Sequence, residues 1–280
     1  MDETNRYLAP GKLNLFLHIN GRRDDGYHEL QTLFQFIDFA DEIAIDATPC
    51  GPIEFTTDMA DINTSDNLIV KAAHALKSYS YTQQGAQIQL VKKLPMGAGV
   101  GGGSSDAATT LMVLNQLWKL DLPLSELATI GRKLGADVPI FIFGQAAFAE
   151  GIGDIMTMAT IDEPWYLLLA PKVSVSTAEI FCNPDLPRDT PKLDLTQFNY
   201  NETRNDCQTI VVKNYPEVAQ ALQWLVEYAP ARMTGTGSCI FAPFTDEHTA
   251  RAAAKHCPAE FSARICRGLN RSPLHQQLIG

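Results

Sequence analysis

Between Pro95 and Ser105 the chain reads Pro95-Met96-Gly97-Ala98-Gly99-Val100-Gly101-Gly102-Gly103-Ser104-Ser105, with five glycines in seven residues. Glycine loses more backbone freedom on folding than any other residue, so this run is costly unless the backbone must do what other residues cannot. One such task is an anion nest, in which successive N–H groups point into one concavity. The flanking sequence fits that use. Ile88 and Leu90 alternate with Gln87 and Gln89 in a strand pattern that ends at Pro95. After the glycines, Ala107, Leu111, Leu114 and Trp118 recur at helical spacing, which predicts an amphipathic helix from Ser104 to about Lys119. That helix would aim its free N–H groups and positive dipole end at the same place. Ser104 and Ser105 add hydroxyls that can donate to phosphate oxygens or reach a bound Mg²⁺. A flexible linker has no reason to sit between a strand and such a helix.

Two other nucleotide patterns compete for the loop. Gly97-Ala98-Gly99-Val100-Gly101-Gly102 matches G-x-G-x-x-G literally. The dinucleotide fold also needs a second strand ending in an acidic residue about 20 positions on. Asp121 falls near that spacing, but Leu120 to Ser125 is a break between two helices. The P-loop pattern fails because no lysine follows the glycines.

Elsewhere, Leu13, Leu15, Leu17 and Ile19 alternate with Lys12, Asn14, Phe16 and His18. Period two predicts a strand with an aliphatic face toward a core and with Lys12 and Asn14 side by side on the other face. Gly21 to Gly26 signals a turn. Strands are expected from Leu30 to Phe39 and around Ile43 and Ile45, and a helix from Asp66 to Ser78. A further helix is expected from Ser125 to Leu134, with Ser125 as N-cap and Gly135 just past its end. Asp137-Val138-Pro139 reads as a loop and Ile140 to Phe143 as a strand. In the second half, strands at Tyr166–Ala170, Cys239–Phe241 and Ser262–Cys266 mix with helices at Tyr215–Tyr228 and Glu247–His256, and Pro184 to Pro191 reads as a loop. The stretch from Ala159 to Pro164 looks like a connector that divides residues 1–159 from 160–280. The class is α+β with mixed order.

Composition narrows the function. With 45% hydrophobic and 19% charged residues the chain can bury a real core. A net charge of −10 argues against nucleic acid and anionic membrane as partners, since both need a basic field. Met1-Asp2-Glu3-Thr4 has neither a basic nor an apolar leader segment, so no signal peptide is expected. The apolar runs fall far below the roughly 20 residues of a membrane span. A soluble, cytoplasmic protein is the expectation. The six cysteines show no C-x-x-C pair, which suggests buried free thiols in a reducing compartment. The six histidines do not cluster with them, so no structural metal is expected. Oligomeric state is not encoded legibly; a monomer or weak homodimer is the working expectation.

The run Pro95 to Thr109 resembles the central motif of the GHMP kinases. Pro10-Gly11-Lys12-Leu13-Asn14-Leu15 resembles that family's first motif, and Thr234-Gly235-Thr236-Gly237-Ser238-Cys239 its third, a glycine turn near the phosphates. Asp25-Gly26-Tyr27-His28-Glu29-Leu30, Leu134-Gly135-Ala136-Asp137-Val138-Pro139 and Asn270-Arg271-Ser272-Pro273-Leu274 resemble the branch acting on 4-diphosphocytidyl-2-C-methyl-D-erythritol. The resemblance implies a two-domain GHMP kinase fold: an N-terminal domain like domain 2 of ribosomal protein S5, a C-terminal ferredoxin-like domain, and the site between them. It implies ATP with Mg²⁺ and transfer of phosphate to the 2-hydroxyl of that small molecule, in the non-mevalonate route to isoprenoid precursors.

By the same resemblance Asp137 is the base and Lys12 the cation that stabilises charge developing on the substrate oxygen. Asn14 orients substrate. Tyr27 stacks on the cytosine ring, His28 bonds its edge and Phe181 covers the far face. Asn67 lines the adenine side. From residue type alone Asp137 could equally cap a turn, Lys12 be a solvated lysine, Asn14 serve structure and Phe181 belong to a core. The stretch Ser176 to Ile180 before Phe181 lacks the prolines common in the family. Asp106, in the first turn after the glycines, is assigned no chemistry because it would repel phosphate. Two other readings stand beside this one: a GHMP kinase for a sugar, homoserine or mevalonate, which would have no use for a base-stacking wall, and a nucleotide-binding relative without activity, against which Lys12 and Asp137 both argue.

Overall fold

The computed structural model describes residues 5–59, 66–194 and 198–279; the leader reading, on Met1 to Thr4, lies outside them. The frame is two long antiparallel strands, β1 (Arg6–Arg22) and β2 (His28–Thr48). Two strands are expected where β2 runs as one. It continues because Ala40, Asp41 and Glu42 stay paired with Pro10, Ala9 and Leu8 of β1. Register shifts at Pro10/Lys12, Asn14/Leu17 and Ile19/Gly21 interrupt β1. At the first shift the additional residues lie in β2, at the other two in β1, and the extra β1 residue between Asn14 and Leu17 moves the side chains that follow to the other face. The expected single aliphatic face is therefore not found: Phe16 joins Leu13 and Leu15 in one core, while Leu17 and Ile19 enter another. Lys12 and Asn14 are themselves buried.

Further along come β3 (Ile53–Thr57), α1 (Leu68–Ser80), β4 (Gly85–Val91), α2 (Gly102–Leu117), α3 (Leu124–Arg132), α4 (Val138–Phe143), β5 (Ala147–Glu150) and β6 (Ile155–Met158). The second half adds β7 (Trp165–Pro171), α5 (Thr177–Cys182), α6 (Gln208–Asn214), α7 (Pro216–Leu225), β8 (Arg232–Met233), β9 (Ile240–Phe244), α8 (Glu247–Ala254), β10 (Phe261–Leu269) and α9 (Pro273–Ile279). One sheet runs β3-β4-β2-β10-β7-β9-β8, with β1 and β5 also on β2 and β6 on β5. β10 links the two halves, pairing with β7 along its length and with Ile37 and Phe36 of β2 at its end.

Helices α1 to α4 pack against the first half of the sheet around Phe36, Ile45, Leu76, Leu111 and Phe141. α2 is not amphipathic as expected. Thr109, Thr110 and Val113 are as buried as Ala107 and Leu111, because α2 is enclosed by the sheet on one side and by α1 and α4 on others. Ile140 to Phe143 form helix α4 rather than a strand. A short apolar run carries no period to decide between the two. Pro139 suits the first helical turn, and Gly144, at φ 70°, ends it. α3 begins after Pro123 with no side-chain cap, and Ser125 sits inside its first turn. A second core gathers Leu167, Ile180, Val211, Ala221 and Ile240. A third, with Leu13, Phe16, Val100, Leu168 and Phe241, contains residues of both halves.

The stretch from Ala159 to Pro164 lies between β6 and β7. Asn270 ties it to the chain's end, bonding Ile161 at N–H and carbonyl, while its own N–H donates to Glu163. α9 then returns to the first core through Leu274. Cys207, Cys239 and Cys266 are buried, and burial pushes the Cys207 and Cys239 thiols up to about 12. Cys50 and Cys182 are exposed and Cys257 half-buried, so the expected burial holds for only three of the six. Among the described residues no helix is long and apolar enough to cross a membrane.

Candidate active site

A cleft of about 760 Å³ opens where the glycine loop meets β1, the N-terminus of α4 and the Thr234–Gly237 turn. The loop's conformation explains its composition. Gly97, Gly99 and Gly101 all hold positive φ, at 61°, 79° and 74°. Between them the loop is pinned at its carbonyls: Cys239 N–H donates to Ala98 at 3.0 Å and Lys12 N–H to Val100 at 2.9 Å. Gly101 caps α2 without a side-chain hydrogen bond, which leaves the first-turn amides free to face a ligand. Pro95, Met96, Gly97, Ala98, Gly99, Gly101, Gly102, Gly103 and Ser104 line the cleft. Val100 and Ser105 do not. Both are fully buried, Val100 in the third core and Ser105 within α2, so only one of the two expected hydroxyls faces the opening.

Gly99 is the tightest position. A Cβ there would lie 2.2 Å from the Thr234 carbonyl oxygen, in a backbone conformation L-residues rarely adopt. Gly99→Ala must move the loop away from the Thr234 turn. It is expected to raise the KM for ATP by roughly ten-fold or more, about 1.4 kcal/mol per decade. Steady-state titration of ATP measures it, and an unchanged KM would refute the packing argument.

Lys12 joins three parts of the site. Its ammonium contacts Asn14 Oδ1 at 2.5 Å, the Gly99 carbonyl at 3.2 Å and Asp137 Oδ2 at 3.2 Å. A lysine has three N–H donors, and all three are directed by these acceptors. Asn14 is held in turn, its side-chain amide donating to Thr32 Oγ1 at 2.9 Å and its backbone N–H to Thr234 Oγ1 at 2.9 Å. Its amide orients Lys12. Asp137 precedes α4 but makes no side-chain cap bond, so the turn-capping alternative fails. Its side chain is 38% exposed and that of Lys12 only 3%, which leaves the carboxylate as the member open to the cleft.

Tyr27, His28 and Phe181 line the cleft as well. Tyr27 is 59% exposed, unusual for a large ring and suited to stacking. The His28 and Phe181 rings lie 5.2 Å apart, so Phe181 belongs both to the wall and to the edge of the second core. Asn67 also lines the cleft, and its Oδ1 caps α1 by accepting the Ile69 N–H.

Lys92 and Asp41 escaped the sequence reading, and Asp106 was given no role in it. Lys92 Nζ lies 2.5 Å from Asp41 Oδ2 and 2.7 Å from Asp106 Oδ2, all three nearly fully buried. Asp41 Oδ1 also accepts the N–H groups of Lys93 and Leu94. Burial raises the Asp106 pKa to about 7 against the pull of Lys92, and Asp41 raises it further. Burial opposes the charge on Lys92, but Asp106 and Asp41 outweigh it and raise its pKa. Lys92 and Asp106 line the cleft behind the glycine loop. Asp106 gave a signal, a carboxylate beside a phosphate cradle, but its cation lies 14 positions away in sequence. Thr236, hydrogen-bonded to Thr177 at 2.9 Å, also lines the cleft, and the third glycine motif pointed to it.

Known proteins resemble the chain along almost all of it. Residues 67–145 match the model of the GHMP kinases N terminal domain, and residues 190–263 that of the GHMP kinases C terminal domain. The 4-diphosphocytidyl-2-C-methyl-D-erythritol kinase of Tolumonas auensis is 52% identical over 273 residues, 98% of this chain and 96% of that protein. The protein of the same name from Shewanella loihica is 55% identical over 271 residues, covering 96% and 95%. A crystal structure of 4-(cytidine 5'-diphospho)-2C-methyl-D-erythritol kinase superposes with a TM-score of 0.82 at 29% identity, over 94% of this chain and 98% of that one.

Proposed function

The chain belongs to the GHMP kinases, and from that premise we propose that it transfers the γ-phosphate of ATP to the 2-hydroxyl of 4-diphosphocytidyl-2-C-methyl-D-erythritol. The protein is a two-domain kinase of mixed α and β structure that acts on this compound in isoprenoid precursor synthesis. The observation that carries the mechanism is the 3.2 Å contact between Lys12 and Asp137 at the mouth of the glycine loop. Residues 1–159 and 160–280 are the two lobes of this reading, with the reaction at their seam.

Phosphoryl transfer is mostly positioning and charge stabilisation. The amides of the loop and of the first turn of α2 take the phosphates. Asp137 takes the proton of the substrate hydroxyl, and Lys12 beside it stabilises the attacking oxygen. Because all its donors are engaged, Lys12 must exchange a partner as the substrate arrives. The donor set fits a Mg²⁺ held chiefly by phosphates and water. Among the described residues no three histidines, cysteines or carboxylates gather to hold a metal, while Ser104 lines the cleft and would offer its hydroxyl. When bound, the ion neutralises charge on the transferring phosphate. The cytoplasm, where ATP is available, is the compartment this reading implies.

The test is ADP release with ATP, Mg²⁺ and one acceptor at a time. Turnover is expected with the cytidyl substrate and not with mevalonate or homoserine; the reverse pattern would move the chain to another branch of the family. In the same assay Tyr27→Ala is expected to raise the KM for the cytidyl substrate about 5- to 100-fold, the range for one base stacked on an aromatic ring. The KM for ATP should barely change, and an equal rise in both would argue against stacking.

A further inference from the structure

Arg188, in the segment after α5, is a residue the reaction does not require and the cleft wall does. Its guanidinium is fixed on every side. Nη1 donates to the Leu186 carbonyl at 2.9 Å, and Nη2 to the carbonyls of Phe181 at 3.0 Å and Asn183 at 2.8 Å. Nε donates to His28 Nε2 at 3.0 Å. An arginine has no acceptor and does not lose its proton in a protein. The direction of this last bond is therefore settled by chemistry: Nε2 of His28 is the acceptor and carries no hydrogen. A neutral imidazole has one N–H, so it stands on Nδ1. Among the described residues no protein group bonds Nδ1. His28 itself lines the cleft.

We propose that Arg188 is a positioning residue for the nucleobase: it holds His28 in the neutral Nδ1–H form, so that the ring donates to an acceptor, O2 or N3, on the edge of cytosine. This rests on the cytidyl-substrate reading. A neutral histidine left alone favours the proton on Nε2, which would turn the opposite side of the ring, an acceptor, toward the base. Arg188 reverses that preference, and through the Phe181 carbonyl it fixes the neighbouring ring as well. The surroundings keep His28 neutral. Burial lowers its pKa, and the cations Arg188 and Arg22 lower it further. Arg22 faces it across the β1–β2 pair, and the Cys182 thiol of α5 lines the same wall. The Tyr27 hydroxyl and the Glu29 carboxylate flank it on its own chain, Glu29 being engaged by Arg23.

The experiment compares wild type with Arg188→Met near pH 8 and near pH 6. Without the guanidinium His28 reverts to Nε2–H, and the KM for the cytidyl substrate at the higher pH should rise about five- to ten-fold, the worth of one hydrogen bond. Loss of the cation raises the His28 pKa, while burial, the larger cause of its lowering, stays in place. In the fraction of molecules whose ring gains a second proton as the pH falls, Nδ1–H returns, so the KM should move back in the direction of wild type. The KM for ATP should stay constant throughout. A rise equal at both pH values would make Arg188 only a loop scaffold and overturn the proposal, as would no rise. Wild type failing to use the cytidyl substrate would instead remove the functional reading. A second measurement needs no variant: proton–nitrogen correlation spectra of the wild-type imidazole should show the hydrogen on Nδ1 of His28, and a hydrogen on Nε2 near pH 8 would overturn the proposal by itself.

Discussion

Asp137→Asn is expected to lower kcat by about 10²- to 10⁴-fold, the usual worth of a positioned base, while the KM for ATP barely moves. The two side chains have the same shape. The asparagine oxygen can still accept from Lys12, as Asp137 Oδ2 does at 3.2 Å. Asp137 makes no cap bond to α4, so the helix loses nothing by the exchange. What disappears is the ability to accept a proton from the substrate hydroxyl. The bland alternative, a carboxylate that only helps to fix Lys12, predicts a different pattern: Lys12 would loosen, the Gly99 carbonyl contact would weaken, and the KM for ATP would rise with the fall in kcat. Steady-state kinetics at saturating and limiting ATP separate the two. Near-normal kcat in this variant would remove Asp137 as the base.

The site was legible in sequence where chemistry depends on local runs. Gly97, Gly99 and Gly101 sit at positive φ, which accounts for part of the loop's glycine content, and the match around Asp137 picked out the carboxylate that meets Lys12. Tertiary context overrode the local pattern in three places. The parity of β1 failed at Phe16 because a bulge resets the faces, and a bulge leaves no mark in an alternation of Leu and Asn. Ile140 to Phe143 became a helix because the neighbours of the run, Pro139 and Gly144, decide what four apolar residues do. Ser105 was read as a ligand for phosphate, yet α2 starts two residues earlier than expected and turns it inward. Arg188 and Lys92 were invisible for another reason. Their partners, His28 and Asp41, lie 160 and 51 positions away, and only the fold pairs them.

The largest effect on stability is expected at Lys92. Two carboxylates, Asp41 and Asp106, share its ammonium in a place almost closed to water. Removing one partner from a buried ionic group leaves uncompensated charge and typically costs about 3–5 kcal/mol. Lys92→Met should lose that much near pH 8, read as the midpoint of chemical denaturation. The sign of its pH dependence is fixed by Asp106. The folded state raises that pKa to about 7, chiefly through burial, so between the ordinary carboxylate range near 4 and pH 7 the folded protein holds a proton that the unfolded chain has released. Stability from this group therefore falls as pH rises through that window and is unaffected below it. Without the lysine the Asp106 pKa rises further, and the deficit of Lys92→Met should shrink as pH falls from about 8 toward 5. Asp106→Asn supplies the contrast. It keeps an acceptor for Lys92, removes one of the two negative charges, and should unfold near pH 8 no more easily than wild type. A lysine variant as stable as wild type near pH 8, or one whose deficit ignores pH, would mean that the three charges are not coupled. Asp106 lies just beyond the first turn of α2, whose N-terminal amides are the proposed phosphate donors, and this balance gives a carboxylate a way to stand near such a site: the lysine offsets it, and burial lets it carry a proton.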